Sequence, residues 1–188
     1  MRKVIVSNLI SLDGYLAAPD GDLSWFAVGP EFLGYAQGLM REVGAILFGR
    51  VTYEMMREYW TSPAAVEGDP LVAGPMNEKP KQVFSKTLKQ ADWGKWDNAS
   101  VSADPVATVT ELRVAAGGDL VIFGSGGLVS ALAPHGLIDE YRFIVNPAIL
   151  GRGIPMFRGF STPIPLTLQN SRTFDGKTVM LSYRPAPS

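Results

Sequence analysis

The sequence predicts an α/β protein built on a mixed, mainly parallel sheet with helices on both faces. Three observations lead there. Short apolar, β-branched runs alternate with segments of helical periodicity from residue 3 to about residue 133. Glycine or Asp-Gly pairs punctuate the junctions between them. Past Pro134 the alternation stops, and three strand-like runs follow one another, the last two separated by the hairpin signal Asp175-Gly176. Alternation demands crossover connections and hence parallel neighbours, whereas a terminal hairpin adds antiparallel ones.

Residues 3–10 form the first strand, an apolar run interrupted at Ser7 and Asn8 and bounded by Asp13-Gly14. A turn-rich loop with Pro19-Asp20-Gly21-Asp22 comes next. Phe32, Tyr35, Ala36, Leu39, Met40 and Val43 then recur at helical spacing, with Pro30 at a first helical position and Gly44 at the close. The Phe32-Tyr35-Leu39 stripe reads as core. Residues 45–48 are a short buried strand, and a second helix over 51–59 starts directly after Gly49-Arg50. Four prolines and two glycines within 61–80 predict a long loop, with at most a helical turn. Strands follow at 81–85 and 99–102. Asp104-Pro105 caps a helix marked by Val106, Val109 and Leu112 that stops at Gly117-Gly118. A buried strand at 120–123, a helix at 126–133 and strands at 138–145, 166–173 and 177–184 complete the order β-α-β-α-β-β-α-β-α-β-β-β.

At 188 residues this is expected to be a single domain spanning 1–188. With 46% hydrophobic and 19% charged residues, a soluble globular chain is expected. Seventeen basic against eighteen acidic residues leave a net charge of -1, which argues against a nucleic-acid partner held by bulk positive charge. The absence of cysteine from the sequence removes disulfides, zinc ribbons and thiol nucleophiles. A lone histidine, His135, leaves little for a metal site or a Ser-His-Asp triad. No apolar run reaches the 18 or so residues of a membrane span, and no cleavage pattern follows the start, so a cytoplasmic protein is expected. The chemistry is expected to come from a cofactor.

Three strand-to-helix junctions carry ligand-binding residue types. Gly124-Ser125-Gly126-Gly127 lets the backbone approach a pyrophosphate at a helix start, although the spacing of a dinucleotide fingerprint is not met. At Gly49-Arg50-Val51-Thr52, a guanidinium and a hydroxyl can donate to phosphate oxygens; the bland reading is a solvated arginine and a helix cap. Ser85 and Lys86 offer a hydroxyl and a cation at the end of a third strand. Open α/β sheets bind ligands at such strand ends, and together the junctions point to a phosphorylated dinucleotide.

These segments also stand in a recognisable order. Ser11-Leu12-Asp13-Gly14-Tyr15, then Leu47-Phe48-Gly49-Arg50-Val51-Thr52-Tyr53-Glu54, then Lys81-Gln82-Val83-Phe84-Ser85-Lys86-Thr87-Leu88 come first. Phe123-Gly124-Ser125-Gly126-Gly127-Leu128, Leu137-Ile138-Asp139-Glu140-Tyr141 and Pro147-Ala148-Ile149-Leu150-Gly151-Arg152-Gly153 follow. The ordered set resembles the dihydrofolate-reductase-like family named for the C-terminal reductase domain of the riboflavin-biosynthesis protein RibD, over about residues 2–184. The resemblance implies an eight-stranded dihydrofolate-reductase-like sheet, NADPH as reductant and a homodimer. It places Arg50, Thr52, Ser85 and Lys86 at the adenosine 2′-phosphate, and Gly124, Ser125, Gly126, Gly127 and Leu128 at the pyrophosphate. Leu9, Ile10 and Leu16 would flank the nicotinamide.

Reduction of an imine or carbonyl also needs a proton. Asp13, in the Ser-Leu-Asp-Gly motif, is the first candidate, and its alternative role is turn formation. Asp22, in Asp22-Leu23-Ser24-Trp25-Phe26, is the second. The expected activity is reduction of a small heterocycle, of the 5-amino-6-(5-phosphoribosylamino)uracil reductase type. A dihydrofolate or pterin reductase is the neighbouring alternative. A non-enzymatic nucleotide-binding dimer is the alternative of another class.

Overall fold

β1 (Val4–Ile10) lies near the centre of an eight-stranded sheet, between two parallel neighbours supplied by the second half of the chain. The structure is a computed structural model, and it describes residues 1–159 and 161–187. After β1 come β2 (Tyr15–Ala17), α1 (Pro30–Glu42), β3 (Val43–Gly49) and α2 (Arg50–Trp60). Then follow α3 (Pro63–Gly68), α4 (Pro70–Glu78), β4 (Lys81–Phe84), β5 (Ala99–Ser102) and α5 (Pro105–Val114). The remainder is β6 (Asp119–Ile122), α6 (Gly126–Leu132), a 3-10 turn (Ala133–His135), β7 (Glu140–Val145), β8 (Ile154–Pro155), β9 (Leu166–Phe174) and β10 (Thr178–Pro185). The sheet order is β5-β4-β3-β6-β1-β7-β10-β9. All pairs up to β7 are parallel; β10 runs antiparallel to both β7 and β9. The β9–β10 hairpin turns through residues 175–177, with Asp175 at φ +54 and Gly176 at φ +63 in left-handed backbone and the Lys177 amide donating to the Phe174 carbonyl at 2.9 Å.

Alternation along the central strands divides the core between the two faces. Val4, Val6, Leu47, Leu120 and Ile122 face α5 and α6, while Ile46, Phe48, Val83 and Val121 face α1, α2 and α4. On the second face Trp93 is fully buried. It stacks on Phe48 at 5.9 Å and donates its Nε1 proton to Asn77 Oδ1 at 2.7 Å. The ammonium of Lys81 sits 4.5 Å above the Trp93 ring and donates to the Asn77 carbonyl and to Asn98 Oδ1.

Two expectations are corrected. The segment expected to be a long loop, 61–80, is mostly helical. Ser62 caps α3 by accepting from the Ala65 amide, Asp69 caps α4 by accepting from the Val72 amide, and Pro63 and Pro70 occupy first-turn positions. Gly44 does not close α1: the helix ends at Glu42, and Gly44 already lies inside β3. Its role is close approach, since a Cβ there would stand 2.7–2.9 Å from the backbone atoms of Gly118. Gly44→Ala is therefore expected to cost about 1–3 kcal/mol through overpacking against backbone. An unchanged midpoint in thermal denaturation would contradict that contact. The sequence reading also missed the small antiparallel pair β2–β8. No helix among the described residues is long and apolar enough to cross a membrane, and none of their His, Asp or Glu clusters could hold a metal.

Candidate functional site

The carboxyl ends of β1, β3 and β6 open into a cavity of about 600 Å³. One wall is apolar, formed by Leu9, Leu16, Leu23 and Phe26, and α2 contributes Val51, Met55 and Met56 opposite. The floor is backbone: residues 49–52 on one side and 124–128 on the other. Arg50 and Arg158 bring positive charge to the lining, and no Asp or Glu is among the described lining residues.

The glycine-rich turn is fixed from three directions. Asn8, only 2% exposed, donates from Nδ2 to the Gly124 carbonyl at 2.9 Å and accepts the Gly124 amide at Oδ1 at 2.6 Å. Ser125 Oγ accepts the Gly49 amide at 2.8 Å, and Thr52 Oγ1 accepts the Ser125 amide at 3.0 Å. The β3–α2 and β6–α6 junctions are thus tied to each other. Gly124 and Ser125 both take left-handed backbone, at φ +53 and φ +55. A Cβ at residue 124 would sit 2.9 Å from Thr52, and one at 126 would sit 2.8 Å from the Met156 carbonyl. Beyond this clamp the amides of Gly126 and Gly127 have no partner among the described residues, as expected for the first positions of a helix. Gly127 is exposed, and a Cβ there would meet open space.

Leu9, Leu16, Arg50, Thr52, Gly124, Ser125, Gly126, Gly127 and Leu128 are therefore gathered on one cavity. Five expected residues do not line it. Ile10 packs against the core on the α5–α6 side. Ser85 accepts the Thr87 and Leu88 amides, and Lys86 is exposed beside it. The register Gly49↔Phe84 nevertheless puts Ser85 next to Arg50 along the row of strand ends. Arg50 is exposed and paired with Glu54 at 3.0 Å.

Asp13 and Asp22 also stand off the cavity lining. The Asp13 carboxylate accepts the Ser11 hydroxyl at 2.7 Å and the amides of Leu150 and Gly151, so it clamps the β1–β2 turn to the chain after β7. These donors, the Ser11 hydroxyl foremost, hold its pKa below the usual carboxylate value. Asp22 is exposed, and the Ser24 hydroxyl and amide lower its pKa likewise. Both groups are held as anions, the wrong state for giving up a proton. Their geometry is that of turns, with Asp22 between two lining residues, Gly21 and Leu23.

Asn8, Ser7 and Arg158 are the polar lining residues that the sequence reading did not nominate. For the first two the signal was visible: adjacent polar residues inside an otherwise apolar strand.

Sheet order and the antiparallel terminal strand are those of the dihydrofolate-reductase-like fold. The fold matches dihydrofolate reductase from Enterococcus faecalis complexed with NADP(H), with a TM-score of 0.66 at 13% identity, covering 98% of this chain and 97% of that one. The chain belongs to the RibD C-terminal domain family, whose model matches residues 2–180. It is 26% identical to YyaP of Bacillus subtilis (strain 168), covering 97% of this chain and 94% of that protein. A Shewanella sp. PV-4 protein named for riboflavin biosynthesis shares the fold with a TM-score of 0.76 at 22% identity, covering 98% and 99% of the two chains. Acinetobacter baumannii RibD does so with a TM-score of 0.72 at 20% identity; there this chain covers 58% of the longer protein and 99% of its own length.

Proposed function

We propose that the protein is an NADPH-dependent reductase of a small heterocyclic substrate, of the type that reduces 5-amino-6-(5-phosphoribosylamino)uracil. The observation that carries this reading is the clamped turn at 124–127, which presents two partnerless amides to the same cavity as Arg50 and Thr52. That donor set fits a dinucleotide. Backbone amides suit a pyrophosphate, and a guanidinium suits a further phosphate on the ribose. The apolar wall of Leu9, Leu16 and Phe26 suits an uncharged reduced ring and excludes water from it. When bound, the nicotinamide supplies a hydride. The protein's part is then to hold the phosphates, aim the ring along β1 and keep the reacting atoms dry.

NADPH is expected to raise the thermal unfolding midpoint more than NADH, because a ligand of the native state at 100 times its Kd stabilises by about 2.7 kcal/mol. Arg50→Ala should erase most of the difference between the two. Equal weakening of both would remove Arg50 from the 2′-phosphate, and no shift with either would sink the dinucleotide site. NADPH consumption with the ribosylaminopyrimidine phosphate or with 7,8-dihydrofolate decides the substrate.

A further inference from the structure

The described residues lining the cavity include no carboxylic acid, yet reduction of a C=N or C=O bond consumes a proton. The hydroxyls of Thr52 and Ser125 hold the glycine-rich turn. Ser7 differs from both. It lines the cavity, is 6% exposed, and its Oγ lies 2.9 Å from the phenolic oxygen of Tyr35 on α1. Tyr35 in turn borders a second cleft, of about 380 Å³, between α1 and the sheet. Gly34 leaves that cleft open, since nothing lies within 4 Å of where its Cβ would be. Arg142 of β7 also borders the cleft and is held by Glu140 at 2.7 Å. Burial pushes the Tyr35 phenol up, while Ser7 and Arg142 pull it down. The Ser7–Tyr35 pair therefore joins the two cavities by one hydrogen bond.

We propose that Ser7 is a catalytic residue, giving its hydroxyl proton to the reduced substrate, and that Tyr35 replaces it with a proton drawn from the second cleft. The inference rests on the dinucleotide reading above. The acceptor carbon gains a hydride from the reduced dinucleotide, and the π-electron pair moves onto the neighbouring nitrogen or oxygen. That atom takes the Ser7 proton, and the Ser7 oxygen takes the Tyr35 proton. Water in the second cleft returns a proton to the phenolate, which Arg142 stabilises meanwhile. The net change is one hydride and one proton added to the acceptor, with the dinucleotide oxidised.

Ser7→Ala, Ser7→Thr and Tyr35→Phe test this against the wild-type protein. All three should keep the thermal shift with NADPH. Turnover of 7,8-dihydrofolate or of the ribosylaminopyrimidine phosphate should fall about 100-fold in Ser7→Ala, the usual scale of a lost general acid. Ser7→Thr should recover most of it, because it keeps the hydroxyl. A readout independent of turnover is the ultraviolet titration of Tyr35, isolated by subtracting the Tyr35→Phe curve. Ser7→Ala should move that ionisation to higher pH, by removing the hydrogen bond that favours the phenolate. Wild-type turnover in Ser7→Ala, or an unmoved Tyr35 titration, overturns the relay. A wild-type protein that binds NADPH but reduces neither acceptor overturns the relay and leaves the dinucleotide site standing. Failure to bind NADPH overturns both.

Discussion

Asn8→Ala is expected to abolish the thermal shift with NADPH and to lower the stability of the free protein. The side chain makes both hydrogen bonds that hold the Gly124 peptide, one to its amide and one to its carbonyl, from a position with almost no solvent access. Truncation leaves two backbone groups without those partners, at a cost of about 1–3 kcal/mol each when water cannot replace them. The turn suffers most. Ser125, the N-cap of α6, is a non-glycine residue in left-handed backbone and keeps that conformation only while its surroundings enforce it. Without the clamp the amides of Gly126 and Gly127 lose their fixed aim. Asn8→Asp makes a sharper probe, because it keeps the acceptor for the Gly124 amide but turns an oxygen against the Gly124 carbonyl. An Asn8→Ala protein that binds NADPH as well as wild type would show that the turn holds itself.

The second large effect lies away from the cavity. Lys81 is 2% exposed, its ammonium is held by amide oxygens and a Trp93 face, and burial pushes its pKa down to about 7. In the unfolded chain a lysine keeps its proton to about pH 10.4. Between these values the unfolded state binds more protons than the folded one, so stability rises with pH across the window. At about 1.4 kcal/mol per pKa unit the rise from pH 7 to 10 is on the order of 2–4 kcal/mol. Above pH 10 the sign reverses, because burial pushes the Tyr141 phenol up to about 12 and the folded state then holds the extra proton. Lys81→Met, of similar volume and uncharged, should flatten the rise below pH 10 and leave the fall above it. Parallel pH profiles of the midpoint for the two proteins would place Lys81 outside this linkage.

The strands were legible because a sheet buried on both faces writes itself as short apolar runs between glycines. Runs at 45–48, 120–123 and 138–145 needed no partner to be read. What failed was consistency. Asp104-Pro105 was read as a cap and a first helical residue, and Ser62-Pro63 and Asp69-Pro70 carry the same signal. The density of prolines, including Pro75 inside α4, hid it. The three- and two-residue strands β2 and β8 leave no periodicity at all. At the cavity, glycines and Arg50 could be read from residue type. The carboxylates could not, since Asp13 looks the same in a sequence whether it faces a ligand or two backbone amides. Ser7 and Asn8 stood out only as interruptions of an apolar strand, and their partners on α1 and at Gly124 come from folding.

The central place of β1 has a kinetic consequence. It precedes the other strands of the sheet in the sequence, yet its two neighbours are β6 and β7, with Val4 opposite Leu120 and Ile5 opposite Glu140. No ladder can form on either of its edges until most of the chain has been made. Such non-local pairing slows folding, because the loop must be closed before the contact rewards it. A newly made strand with two unpaired edges is also a template for misassociation. Refolding yield should therefore depend steeply on protein concentration, and a chain ending before β7 would keep its future centre as an open edge.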